Sequence, residues 1–135
     1  MQELTHYIGG EHVKGTSGRF ADVYNPATGE VQAKVPLANG EEMAKAVAIA
    51  AEAQVGWAAT NPQRRARVMM KFVSLLNRDM DKLAEALSRE HGKTLPDAAG
   101  DVQRGLEVVE YCVGAPELLK GDYTDGAGPG IDMYS

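Results

Sequence analysis

The chain has 135 residues, 44% hydrophobic and 24% charged, an ordinary globular composition that excludes a disordered one. Its formal charge of −5 offers no broad basic surface to neutralise phosphates, which argues against nucleic acid as a partner. A single cysteine, Cys112, excludes an internal disulfide and points to a reducing compartment.

No apolar run reaches the roughly eighteen residues that a membrane-spanning helix needs, so no membrane partner is expected. The N-terminus lacks a basic segment followed by an apolar one, so no secretory signal is expected either, and the location implied is cytoplasmic. The length suits one domain with a modest core, or a piece of a larger fold.

Residues 1–38 read as strands and turns. His6-Tyr7-Ile8 and Glu11-His12-Val13 flank Gly9-Gly10, a two-glycine link suited to a tight hairpin. Phe20 to Tyr24 forms a further short strand, and Asn25-Pro26-Ala27-Thr28-Gly29-Glu30 is a turn with Gly29 as a left-handed exit. Val31, Ala33 and Val35 then alternate with Gln32 and Lys34, the period of a half-buried strand.

Residues 39–120 read as helical. Asn39 with Glu42 three residues later makes a capping-box start, followed by a stripe of Met43, Val47, Ala50, Gln54 and Trp57. Asn61-Pro62 opens a second helix, whose stripe of Val68, Phe72, Leu75 and Leu76 resumes at Leu83 and Leu87. The polar stretch 77–82 marks a kink or a join, and Gly92 a C-terminal cap. A third helix runs from near Pro96-Asp97 to about Val113. Residues 121–135 read as a glycine-rich exit and a final strand, Ile131-Asp132-Met133-Tyr134, that lacks a partner.

The third helix carries the most information. At about 100° per residue, Val102, Leu106, Val109 and Val113 fall on one side. Arg104, Val108, Tyr111 and Cys112 fall largely on the other, as in a helix sandwiched within a larger body. An arginine there requires a negative partner. Asp101 or Glu107, each three residues away, can supply it. A substrate carboxylate gripped by the planar guanidinium is the competing reading.

Cys112 lies near the C-terminal end of this helix, where the dipole disfavours a thiolate, and reads as a buried structural thiol. His6, His12 and His91 have no metal-ligand spacing, and Glu107 with Glu110 reads as a solvated flank.

Several of these motifs together resemble the N-terminal part of the aldehyde dehydrogenase superfamily: Ile8-Gly9-Gly10, the Asn25–Glu30 turn, Arg64-Arg65-Ala66, Glu90 and Gly92-Lys93. Gly100 to Glu110, Leu118-Leu119-Lys120-Gly121 and Gly130-Ile131-Asp132 are similar to its CoA-acylating methylmalonate-semialdehyde dehydrogenase branch. The resemblance covers essentially the whole chain. It implies an α+β segment of an α/β aldehyde-dehydrogenase fold, with N-terminal short strands and a hairpin, three principal helices and a C-terminal strand.

The activity implied is staged. A cysteine thiolate attacks the aldehyde, hydride passes to NAD, and CoA takes the acyl group after loss of carbon dioxide. Malonate semialdehyde gives acetyl-CoA and methylmalonate semialdehyde propionyl-CoA. The family holds the carboxylate of a small aldehyde with an arginine on this helix, and Arg104 occupies the matching position. The family's nucleophile, general base and oxyanion asparagine all lie beyond Ser135, so no catalytic residue is assigned and the chain alone is expected to be inactive, binding neither NAD nor CoA by itself. A homo-oligomer is implied. The alternatives are part of a non-acylating aldehyde dehydrogenase, or a non-catalytic helical module that associates with other subunits.

Overall fold

The computed structural model describes residues 2–135. Strands β1 (Gln2–Glu3), β2 (His6–Ile8), β3 (Glu11–Val13), β4 (Phe20–Tyr24) and β5 (Val31–Pro36) come first. β2 and β3 form the expected hairpin, with His6 opposite Val13 and Ile8 opposite Glu11. Gly9 and Gly10 both have positive φ, 63° and 85°, which a two-residue turn of matching twist requires.

β5 is the middle strand of a three-stranded sheet, parallel to β1 and antiparallel to β4. β1 is too short to show a period in the sequence. The alternation in β5 does not become an alternation of burial, because only Ala33 and Pro36 are buried and the other four residues are half-buried. Polar Gln32 is covered: its side-chain amide donates to the carbonyls of Tyr24 (3.3 Å) and Arg89 (3.2 Å), tying the sheet to the helices.

Four long helices follow, α1 (Gly40–Ala59), α2 (Pro62–Arg78), α3 (Met80–His91) and α4 (Leu95–Val113), then a single turn, α5 (Ala115–Leu118). Three principal helices were expected. The difference lies at Asp79, which ends α2 and begins α3 with φ −106° and ψ 17°. Its carboxylate is held by Arg78 and Lys82, which keep its pKa down at about 2. The polar stretch 77–82 is therefore a join of two helices.

Caps follow local chemistry. Asn39 and Glu42 form both halves of the capping box, each bond 2.9 Å long. Asn61 Oδ1 accepts from the Gln63 N–H, with Pro62 opening the helix. Gly92 ends α3 with φ 81°.

The core lies between α2, α3 and α4, where Ala66, Ala84, Ala98 and Leu106 are buried. Alanines let these helices approach closely but each removes little apolar area from water. α1 buries no residue, and Met43, Val47 and Trp57 of its stripe are exposed. The face it turns inward carries Ala46 and Ile49, the latter close to the Gly9 turn.

The chain ends in a second hairpin, β6 (Tyr123–Gly128) with β7 (Ile131–Tyr134). This corrects the reading of a glycine-rich exit and an unpartnered strand. β6 pairs through its backbone with Tyr123 opposite Tyr134 and Gly128 opposite Ile131, which needs no apolar pattern in its side chains.

Candidate functional site

Gly92 allows the chain to reverse after α3, and Lys93 is folded back against α4. The Ser88 hydroxyl donates to the Lys93 carbonyl (2.7 Å), while the Lys93 ammonium meets Asp97 (2.9 Å) and Asp101. Its side chain is only 16% exposed. Asp97 and Asp101 are four residues apart and so share a side of α4. The two carboxylates raise the Lys93 pKa, Asp101 first.

Asp101 uses both oxygens. Oδ2 takes Lys93 and Oδ1 takes Nη1 of Arg104. The Lys93 ammonium, with a smaller contribution from Arg104, holds the Asp101 carboxyl below its ordinary range. Arg104 is thus paired with Asp101, one of the two partners its spacing allowed. Glu107 instead accepts from the Gln103 amide (3.3 Å). The pair does not exhaust the guanidinium: Nε and Nη2 have no acceptor among the described residues, and the side chain is 69% exposed. The edge formed by Nε and Nη2 is the pair of parallel donors that a carboxylate takes up.

The second side of α4 is not buried. Val108 and Tyr111 are exposed, and so is Cys112, which corrects its reading as a buried thiol. α2 and α3 pack on the Ala98–Leu106 face, leaving the opposite one uncovered among the described residues. Cys112 borders a shallow cavity of about 130 Å³ with Trp57, Arg65, Met69 and Pro116. The Thr5 hydroxyl lies 2.9 Å from His12 Nδ1, and among the described residues no cluster of His, Cys, Asp and Glu is arranged to hold a metal ion. An apolar groove of about 440 Å³ runs along α2, α3 and α4, lined by Phe72, Leu76, Leu87, Val102 and Val109 with Asp101 at its border.

Among the described residues, the one strand-to-helix N-terminus is not open to the phosphates of a dinucleotide. Such phosphates favour the free N-terminus of a helix that follows a strand. Here that position, between β5 and α1, is filled by the Glu42 carboxylate with Glu41 beside it. Glu42 accepts from the Asn39 and Thr16 N–H groups, which hold its pKa below the usual value, so the anion is already in place.

Sequence reasoning found Arg104 and Asp101 but gave Lys93 no role. The available signal is that Lys93 just precedes α4, whose Asp97 and Asp101, one turn apart, present two carboxylates on one side.

Residues 12–134 match the aldehyde dehydrogenase family model, and the chain belongs to the aldehyde dehydrogenase family. Within it, the chain is 48% identical over its whole length to malonate-semialdehyde dehydrogenase of Pseudomonas aeruginosa, covering 27% of that protein. It is 48% identical over 132 residues to the acylating, mitochondrial methylmalonate-semialdehyde dehydrogenase of Arabidopsis thaliana, 98% of this chain and 22% of that one. A crystal structure described as a methylmalonate-semialdehyde dehydrogenase of Sinorhizobium meliloti, complexed with NAD, superposes with a TM-score of 0.88 at 63% identity. That match covers 99% of this chain and 27% of that one. The chain therefore spans about a quarter of the length of these relatives and corresponds to their N-terminal portion.

Proposed function

We propose that this chain is the N-terminal portion of an NAD-dependent, CoA-acylating (methyl)malonate-semialdehyde dehydrogenase, in which Arg104 holds the carboxylate of the semialdehyde. The whole enzyme would give propionyl-CoA or acetyl-CoA with loss of carbon dioxide. The relatives' names support the substrate class, and the crystal complex of one of them supports NAD. CoA rests on the family resemblance, with which the acylating name of one relative agrees.

The observation that carries this reading is the divided use of the Arg104 guanidinium, one nitrogen held by Asp101 and two without an acceptor among the described residues, on a side chain that is largely exposed. A fully engaged arginine would be structural. One half engaged is oriented and still able to bind an anion. The exposed stripe of α1 and the apolar groove between α2, α3 and α4 are surfaces that the rest of the enzyme, or a second subunit of a homo-oligomer, would cover. The acidic charge, and helices none of which is long and apolar enough to cross a membrane, favour a cytoplasmic enzyme of small molecules.

The test is Arg104→Ala in the dehydrogenase that contains this chain. Losing a charge-assisted, two-point contact is expected to lower kcat/KM for malonate semialdehyde on the order of 10- to 100-fold. Propionaldehyde, which has no carboxylate, should be little affected. Equal losses on both aldehydes would remove the carboxylate role. A product released as free acid, with no requirement for CoA, would favour the non-acylating alternative.

A further inference from the structure

Asp101 stands between two cations, and the way it divides its oxygens has a consequence for Arg104. A lone carboxylate three residues from an arginine can present both oxygens to the guanidinium and saturate it. Here Lys93 occupies Oδ2, so Asp101 offers Arg104 a single oxygen and leaves Nε and Nη2 free. Charge matters as well. Lys93 and Arg104 together balance Asp97 and Asp101, whereas without Lys93 the cluster would carry a net negative charge towards an incoming anion.

We propose that Lys93 is a positioning residue which, acting through Asp101, sets how strongly Arg104 binds a substrate carboxylate. The inference rests on the reading of Arg104 as the carboxylate-binding residue. Lys93 is well placed for this because its own position is fixed twice, through its carbonyl by Ser88 and through its ammonium by two carboxylates of α4. The lowered pKa of Asp101 agrees, since it keeps the bridging carboxylate charged.

The experiment compares Lys93→Gln, Lys93→Arg and Arg104→Ala in the dehydrogenase that contains this chain, with malonate semialdehyde and propionaldehyde as substrates and the melting temperature as a control for folding. Lys93→Gln should raise KM for malonate semialdehyde about 5-fold, the effect of one unit charge several ångströms away in a partly solvated site. The kinetics with propionaldehyde should stay unchanged, and Lys93→Arg should restore most of the loss. A Lys93→Gln variant that is unaffected, or equally impaired on both aldehydes, overturns the proposal and leaves Lys93 a clasp between α3 and α4. If Arg104→Ala is selective and Lys93→Gln is not, only this inference fails. If Arg104→Ala is not selective, the carboxylate reading fails first.

Discussion

A β-carbon on Gly92 would lie 2.8 Å from Pro26 Cγ, so the end of α3 touches the turn after β4 at a point where only glycine fits. With the Gln32 bond to Arg89, this contact fixes the sheet against the helices just before Lys93 enters the site. Gly92→Ala meets two penalties, a left-handed φ of 81° and a clash with a rigid ring. A loss of about 2–4 kcal/mol is expected. Gly29 has a similar φ of 75° but open space around it, so Gly29→Ala should lose only about 1–2 kcal/mol. Denaturant melts of both variants check the difference, and equal losses would show that Pro26 gives way.

The capping box at α1 is the second point of leverage. Asn39→Ala removes the acceptor for the Glu42 N–H, and about 1 kcal/mol of stability should go with it. α1 is the helix with least cover, so its cap has little packing behind it. Circular dichroism should show the loss as reduced helicity at moderate temperature, before the global transition.

Acid sensitivity follows from carboxyl pKa values that folding depresses. Glu42 lies below its ordinary 4.5 because it accepts from the Asn39 and Thr16 N–H groups, and Asp79 is near 2 instead of 3.8 because of Arg78 and Lys82. A depressed pKa contributes stability that is fully present above the unfolded value and lost as pH falls through the folded one. Melting temperature should therefore hold from neutrality to about pH 5 and fall between there and about pH 2. Glu42→Gln keeps one acceptor oxygen for two donors, so it should be less stable at pH 7 and show a shallower decline in acid. Parallel pH curves for both proteins would contradict this.

These features differ in how far the sequence reveals them. The Asn39–Glu42 box, Asn61-Pro62, Gly9-Gly10 and Gly92 were legible because each is settled within a few residues. The stripe of α1 was legible as a stripe, but periodicity does not say what covers it, and it is exposed. β6 is not legible as a strand because its ladder is interrupted between Thr124 and Gly128, and the Gly126 N–H there donates to the Asp132 carboxylate instead. At the candidate site, spacing offers Asp101 or Glu107 as the partner of Arg104, with a substrate carboxylate as the competing reading. The structure pairs Arg104 with one oxygen of Asp101 while Lys93, from outside the helix, takes the other.

Among the described residues, Leu106 is the large hydrophobic side chain of the core, 3% exposed among alanines. It also lines the open groove beside Phe72 and Leu83, so the space left by Leu106→Ala could partly collapse or fill with water. A loss of about 2–3 kcal/mol is expected, towards the lower end for such truncations. A loss under about 1 kcal/mol in denaturant melts would place the stabilising contacts elsewhere.

Cys112 supplies the last prediction. It is exposed near the C-terminal end of α4, where it borders the small cavity shared with α2 and α5. An accessible thiol should react with Ellman's reagent in the native protein, without prior denaturation. Cys112→Ser removes no buried contact, so stability should change by less than about 0.5 kcal/mol. NAD reduction by the 135-residue chain should be undetectable with or without the substitution. A reaction visible only after denaturation would mean that another surface covers this face of α4. A rate far above that of a free thiol would mean that an activating group has reached it, and a nucleophilic role would then have to be considered for a residue that geometry now assigns to the periphery.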